Sequence, residues 1–375
     1  MDDSLPLDEL VQELNRSVAH RDRRVPDVEA WLEQLRAEGG SDLYLVAGVP
    51  PAMRLHGAVR TLAEPILDGD DIEEAILPFL PLHAAENYRT KGAGDASFRR
   101  PSIGRFRVNL HRERGRAAAS LRALPLHPPR LEDLALPESV ERLTHLTAGL
   151  VLVGGPTGSG KSTTVAALVD MINRRDQKHI ITIEDPIEYD HAHQRSVVEQ
   201  VEIGIDAPDF PAALRAALRQ SPDVIVVGEM RDPETMAMAL AAGETGHLVF
   251  STLHTTDVTS TVSRVADSFP VERQPTIRQE LSLALSAIVA QQLLPKEGGG
   301  RVPAVELLMV GYGARQHIRK NALQHLHQEI TLTRRDGSVT FEESLGSLVK
   351  KGVLAADEAR ARATHRDEME SLLRS

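Results

Sequence analysis

The chain has no cysteine among its 375 residues, which excludes disulfides and every metal site built on thiolates. Aromatic residues amount to 3%. The cores must therefore be filled by Leu, Val, Ile and Ala, and little is available to stack against single-stranded bases. Positive charge is also short. A formal net charge of −11 gives no general attraction for a polyanion, although a ring can carry a basic channel inside an acidic exterior. Nucleic acid is not an expected partner. No apolar run approaches the roughly 18–20 residues that cross a bilayer, and the acidic start Met1-Asp-Asp-Ser4 is unlike a secretory signal. The expectation is a cytoplasmic protein whose membrane contact is peripheral.

What is present is ordinary for a globular protein. Hydrophobic residues make up 41% and charged residues 26%, in a chain long enough for two domains with separate cores. Leu7, Leu10, Val11 and Leu14 share one helical face, and Arg16 to Arg24 reads as a solvated basic connector. Residues 1–27 are thus expected to be a helical extension. A second helix is signalled by Pro26 at its start, by Val28, Trp31, Leu32 and Leu35 on one face, and by Gly39-Gly40 at its stop. Strand-like segments follow at residues 43–46, 53–55, 103–110 and 118–124. Phe106, Val108 and Leu110 alternate with Arg105, Arg107 and Asn109, as in a half-buried strand. Residues 28–124 are expected to form a small α+β domain with an arginine-rich sheet face.

Pro125, Pro128, Pro129 and Pro137 mark residues 125–147 as a linker. Beyond it the character changes. Short continuous apolar runs at 150–153, 180–183, 224–227 and 248–250 alternate with helical stretches at 163–173, 210–219 and 233–242. That pattern predicts buried parallel strands with crossover helices, an α/β domain over 148–375. From about Glu280 onward the chain reads as mostly helical.

The phosphate-binding motif lies between the run 150–153 and the helix from Thr163. It consists of Gly155, Pro156, Thr157, Gly158, Ser159, Gly160, Lys161, Ser162 and Thr163. Glycines let backbone N–H groups turn toward phosphates, and the helix start adds partial positive charge. Lys161 reaches the β- and γ-phosphates, and Ser162 can ligate Mg²⁺. The run Val224-Ile-Val-Val-Gly-Glu229 fits a Walker B strand. A carboxylate at that edge, Glu229, can hold Mg²⁺ through water or polarise the attacking water. ATP and Mg²⁺ are the expected ligands.

Three further segments carry a family resemblance. Thr182-Ile-Glu-Asp-Pro-Ile-Glu188 looks like an Asp box, Gly246-His-Leu-Val-Phe-Ser-Thr-Leu-His-Thr255 like a His box, and Gly228-Glu-Met-Arg-Asp232 like a Walker B ending. With the phosphate loop they resemble the type IV pilus retraction (twitching motility) ATPases of the type II/IV secretion ATPase superfamily. The likeness extends upstream through Gly40-Ser-Asp-Leu-Tyr-Leu-Val-Ala-Gly-Val-Pro-Pro51 and Gly104-Arg-Phe-Arg-Val-Asn109. It implies a PAS-like N-terminal domain, a RecA-like ATPase domain with a helical C-terminal part, and a homohexameric ring with nucleotide between the domains. It further implies Glu188 as the general base and Glu229 as organiser of Mg²⁺ and the γ-phosphate. Glu184 and Asp185, in the same Asp box, stand either as members of the site or as loop carboxylates without a role. His247 and His254, at the His-box positions, are implied in phosphate contact or a conformational relay. Metal ligation by that pair is not expected, because a strand would separate them by roughly 20 Å. Arg107, Arg114 and Arg122 match the family's arginine sensors, with Arg105, Arg112 and Arg116 competing for the same roles.

Extension and secretion ATPases of the superfamily usually carry a four-cysteine zinc motif, which this chain cannot build, so the retraction branch is favoured. Two departures qualify that. Where retraction enzymes carry Ala-Ile-Arg-Asn-Leu-Ile, this chain reads Gly313-Ala-Arg-Gln-His-Ile318, and where they carry Gln-Arg-Glu-Val it reads Gln200-Val-Glu-Ile203. The implied partners are an inner-membrane pilus platform protein and, for an accessory or divergent member, a paralogous ATPase. The implied location is the cytoplasmic face of the inner membrane. A nucleotide-binding regulatory subunit is the alternative, yet Glu188 and Glu229 are both present.

Overall fold

The computed structural model describes residues 26–374, so the helix expected over 4–15 and the basic stretch 16–24 lie outside the described residues. The chain divides into two compact units between Leu124 and Pro125.

The first unit opens with α1 (Val28–Ala37), capped by Asp27, whose side chain accepts from Ala30 N. Val28, Trp31, Leu32 and Leu35 are buried along its inner stripe, as their spacing predicts. The strands are β1 (Asp42–Val46), β2 (Ala52–Leu55), β3 (Ala58–Thr61), β4 (Ala93–Arg100), β5 (Gly104–Glu113) and β6 (Arg116–Ala123). They form one sheet in the order β3-β2-β1-β6-β5-β4, antiparallel throughout. Two helices, α2 (Gly69–Ile76) and α3 (Leu82–Lys91), separate β3 from β4. Leu43, Met53, Val108 and Leu121 are in the buried core with α1 and α2 residues. Residues one step along each strand face the other way. There the register lines up Arg54, Asp42, Arg122 and Arg107 across four strands. Strand β4 escapes a sequence reading because Ala-Gly-Asp-Ala-Ser is poor in strand formers; its ladder to β5 supplies the stability instead.

The second unit is built on a seven-stranded sheet, ordered β13-β12-β7-β11-β10-β8-β9. Its strands are β7 (Gly149–Gly154), β8 (His179–Glu184), β9 (Val197–Glu202), β10 (Val224–Val227), β11 (Leu248–Leu253), β12 (Leu285–Pro295) and β13 (Arg301–Met309). All neighbours are parallel except the β12–β13 pair. The helices following β7, β9 and β10 are α4 (Lys161–Arg175), α5 (Phe210–Ala217) and α6 (Pro233–Glu244), and α7 (Val258–Asp267) and α8 (Gln274–Ala284) follow β11. Leu150, Leu152, Ile225 and Val227 pack in one apolar cluster with α5 to α8 residues. Val151, Val153, Val224 and Val226 pack in another with α4. Burial on both faces is why these strands read as continuous apolar runs rather than as alternation.

Residues 125–147 belong to this second unit. They carry 3₁₀ segments at Leu131–Leu134 and Glu138–His145, and Leu131, Val140 and Leu143 are buried in the α4-side core.

One expectation is corrected. Residues 285–309, read as part of a mostly helical C-terminal third, form the two longest strands of the second sheet, β12 and β13. The run from Leu285 to Leu294 is mostly apolar, broken by Ser286, Gln291 and Gln292 at no regular spacing, so periodicity alone cannot separate a buried strand from a buried helix. Pairing with β7 on one side and β13 on the other decides it. The helical part begins at α9 (Tyr312–Arg319) and continues through α10 (Leu326–Leu332), α11 (Phe341–Lys350), α12 (Ala356–Arg362) and α13 (Arg366–Arg374). No helix among the described residues is long and apolar enough to cross a membrane.

Candidate active site

Parallel pairing brings four carboxyl strand ends together. Gly154 of β7 lies opposite Leu253 of β11, Ser251 of β11 opposite Val227 of β10, and Val227 opposite Ile183 of β8. The loops leaving these ends carry the phosphate motif, His254, Glu229 and Glu188. Ligands of parallel sheets collect at this edge, outside the carboxyl ends of the strands.

The phosphate loop cannot tolerate side chains at its glycines. A Cβ on Gly155 would lie 2.3 Å from Ser159 Oγ and 2.5 Å from the Gln291 carbonyl oxygen, and Gly160, at φ +87°, takes a left-handed turn into α4. Lys161 begins that helix and is itself buried. Its Nζ donates to the carbonyl oxygens of Gly155, at 2.8 Å, and Pro156, at 3.1 Å. Burial pulls the ammonium below the ordinary lysine pKa, while Glu229 and Glu188 pull it back up. Both carboxylates therefore stand within electrostatic reach of the same nitrogen. Ser159 Oγ is buried with no hydrogen-bond partner among the described residues. The first N–H groups of α4 have no acceptor within their own helix. An orphan hydroxyl, an ammonium and a helix start around a glycine loop fit a triphosphate.

Glu229 leaves β10 fixed from two sides. His254 Nε2 lies 3.1 Å from Oε1, and Arg231 Nη2 lies 2.8 Å from Oε2. That bond, more than any other influence, raises the Arg231 pKa, with Asp185 adding to it. Arg231 went unassigned in the sequence although it lies inside the Walker B ending; Met230 between them is buried, which turns residues 229 and 231 to the same side.

Glu188 is exposed, but its loop is anchored at three points. Glu184 turns inward, where burial raises its pKa against hydrogen bonds from Thr182, the Glu188 backbone and Gln200. Thr182 Oγ1 donates to Glu184 Oε1 at 2.7 Å, and Glu188 N donates to Oε2 at 3.3 Å. Gln200 Nε2 also donates to the Tyr189 carbonyl at 2.9 Å. The Tyr189 hydroxyl meets Thr163 Oγ1 at 2.9 Å, tying the loop to the first turn of α4. Glu184 serves as a structural anchor; nothing in sequence spacing distinguishes it from Asp185, which stays exposed.

His247 is not brought to this edge. It precedes Leu248 at the amino end of β11, where its backbone carbonyl accepts from Gly149 N and its Nδ1 lies 3.2 Å from the Ala242 carbonyl oxygen. His254 stands at the other end of the same strand.

In the first unit, Arg122 Nε donates to Asp42 Oδ1 at 2.8 Å, and this bond raises its pKa. Arg107 lies 3.9 Å from Asp95. Arg114 sits in the β5–β6 turn at φ 49°, 3.0 Å from Glu113, with its side chain 83% exposed. Among the competing arginines, Arg105 donates to Ser97 Oγ at 2.8 Å, and Arg112 lies over the Tyr88 ring.

A parallel sheet with a glycine phosphate loop, a buried lysine and two carboxylates at adjacent strand ends defines a RecA-like P-loop ATPase. The Type II/IV secretion system protein family matches residues 131–344. The chain is 40% identical to the type IV pilus retractation ATPase PilT of Pseudomonas aeruginosa over 337 residues, 90% of this chain and 98% of that one. It is 36% identical to the type IV pilus ATPase PilU of the same organism over 349 residues, 93% and 91% of the two chains. The crystal structure of the pilus retraction motor PilT with bound ADP superposes with a TM-score of 0.83 at 44% identity, covering 91% of this chain and 98% of that one. The chain belongs to the PilT-like ATPases of the type II/IV secretion family and is an ATP hydrolase.

Proposed function

We propose that the protein is a hexameric, Mg²⁺-dependent motor that retracts type IV pili. The observation that carries this reading is the pair of carboxylates, Glu229 and Glu188, on loops that leave the neighbouring strands β10 and β8 at the sheet edge that also carries the phosphate loop. A subunit that only held nucleotide would have no use for two. Glu188, on its anchored loop, accepts the proton of the attacking water. Ser162 and, through water, Glu229 would hold Mg²⁺, which when bound neutralises phosphate charge. His254 and Arg231 keep the Glu229 carboxylate in place, and His247 has no part in this site. Arg107, Arg114 and Arg122 act as arginine sensors against charge developing on the γ-phosphate; the exposed Arg114 is the least constrained of them.

Support for retraction comes from the likeness to PilT over nearly the whole of both chains and from the absence of cysteine. The motor acts at the cytoplasmic face of the inner membrane, on a pilus platform protein. A second reading, an accessory motor working beside a paralogue, is supported by the 36% identity to PilU and by helix α9. There Arg315 donates to the Ser282 and Leu283 carbonyls and Ile318 is buried, so both have structural work. His317 instead pairs with Glu329 at 3.4 Å, at a position where the retraction motif has another residue.

Deleting the gene in its own organism separates these readings. Retraction predicts excess surface pili with loss of twitching. Normal piliation with weakened twitching under load favours the accessory role, and absence of pili would contradict both.

A further inference from the structure

Gln291 is an amide in the middle of apolar β12, 2% exposed. Both ends of that amide are engaged by the phosphate loop and the first turn of α4. Nε2 donates to the Ser159 carbonyl at 2.7 Å, and Oε1 accepts from Thr164 Oγ1 at 2.8 Å. The backbone carbonyl oxygen of Gln291 would lie 2.5 Å from a Cβ at Gly155, and its Nε2 2.9 Å from one at Gly160. Gln291 thus braces the loop at both ends.

The bond to Ser159 has a directional consequence. The Ser159 carbonyl and the Gly160 N–H belong to one peptide unit, and in a trans peptide the two point in opposite directions. Holding the carbonyl toward β12 therefore turns the Gly160 N–H away from β12, toward the open side of the loop. Glycine at 160, at φ +87°, has the backbone freedom to turn this peptide elsewhere when nothing holds it. We propose that Gln291 is a positioning residue that fixes the Ser159–Gly160 peptide so that the Gly160 N–H faces the triphosphate. The inference rests on the loop being the ATP site and adds a residue outside every motif of that site.

The test compares wild type, Gln291→Glu and Gln291→Met in titrations with a fluorescent ATP analogue from pH 6 to pH 8. Gln291→Glu keeps the shape and the acceptor for Thr164, but its carboxylate has no donor for the Ser159 carbonyl. Protonation restores one, as an O–H. Affinity of Gln291→Glu at pH 8 is expected to fall about tenfold, the scale of one unsatisfied buried polar group, and to approach wild type as the pH drops. Gln291→Met is expected to bind about tenfold more weakly at every pH. Variants that melt at lower temperature yet bind within twofold of wild type at pH 8 would overturn the proposal, and so would failure of both to fold, since either result makes Gln291 a packing residue only. Wild-type protein that does not bind the analogue would instead contradict the ATP reading itself.

Discussion

Glu188→Gln is expected to slow ATP turnover by about 10²–10⁴-fold, the usual contribution of a general base, while nucleotide affinity stays nearly unchanged. The separation follows from how the loop is held. Its anchors are the Glu184 carboxylate, which receives the Glu188 backbone N–H rather than its side chain, the bond from Gln200 to the Tyr189 carbonyl and the Tyr189–Thr163 contact. None of them uses the Glu188 carboxylate, so glutamine leaves the loop where it is and removes only the capacity to accept a proton. Phosphate release under saturating ATP, beside a binding titration, reads the two effects apart. A parallel loss of affinity would show that Glu188 acts on the ground state, through its charge on Lys161.

The second large effect concerns stability. Burial pushes the Glu306 carboxyl from an ordinary 4.5 up to about 7, with Asp257 and Glu342 adding repulsion and the bond from Val258 N opposing them. That bond, 2.8 Å to Oε2, fixes the start of α7 just beyond His254. Because the folded state keeps a proton that the unfolded chain sheds above about 4.5, this group's contribution falls as pH rises from about 4.5 to about 7. Glu306→Gln keeps an acceptor for Val258 and abolishes the titration. It is expected to be more stable than wild type by about 2–3 kcal/mol at pH 8 and by under about 1 kcal/mol at pH 5. Urea unfolding at the two pH values measures the gap. His191 runs the other way: burial lowers its pKa to about 4, so its contribution is lost as pH falls below the ordinary histidine value. The variant comparison cancels that slope; a gap that does not widen with pH would contradict the Glu306 assignment.

Much of this architecture is legible before any coordinates. Strands β7, β8, β10 and β11 read plainly because each is buried on both faces, and the loops that leave their carboxyl ends carry motifs whose spacing is their chemistry. Glu229 and His254 are local in that sense, two residues and one residue past a strand end. What could not be read depends on contacts distant in sequence. Gln291 sits 132 residues from the Ser159 carbonyl it holds, and Asp42 lies 80 residues from Arg122. Glu184 and Glu188 are two glutamates of one short segment in the sequence; only the fold turns one inward as an anchor and leaves the other facing out. Strand β12 shows the same limit for secondary structure, since its apolar run says buried without saying strand.

Turnover at Glu188 is expected to drive the movement of pili. In a deletion strain carrying labelled pili, retraction events can be counted after complementation with wild type or Glu188→Gln at matched protein levels. Wild type should restore retraction and Glu188→Gln should leave pili extended; retraction at the wild-type rate with the glutamine variant would contradict the mechanism.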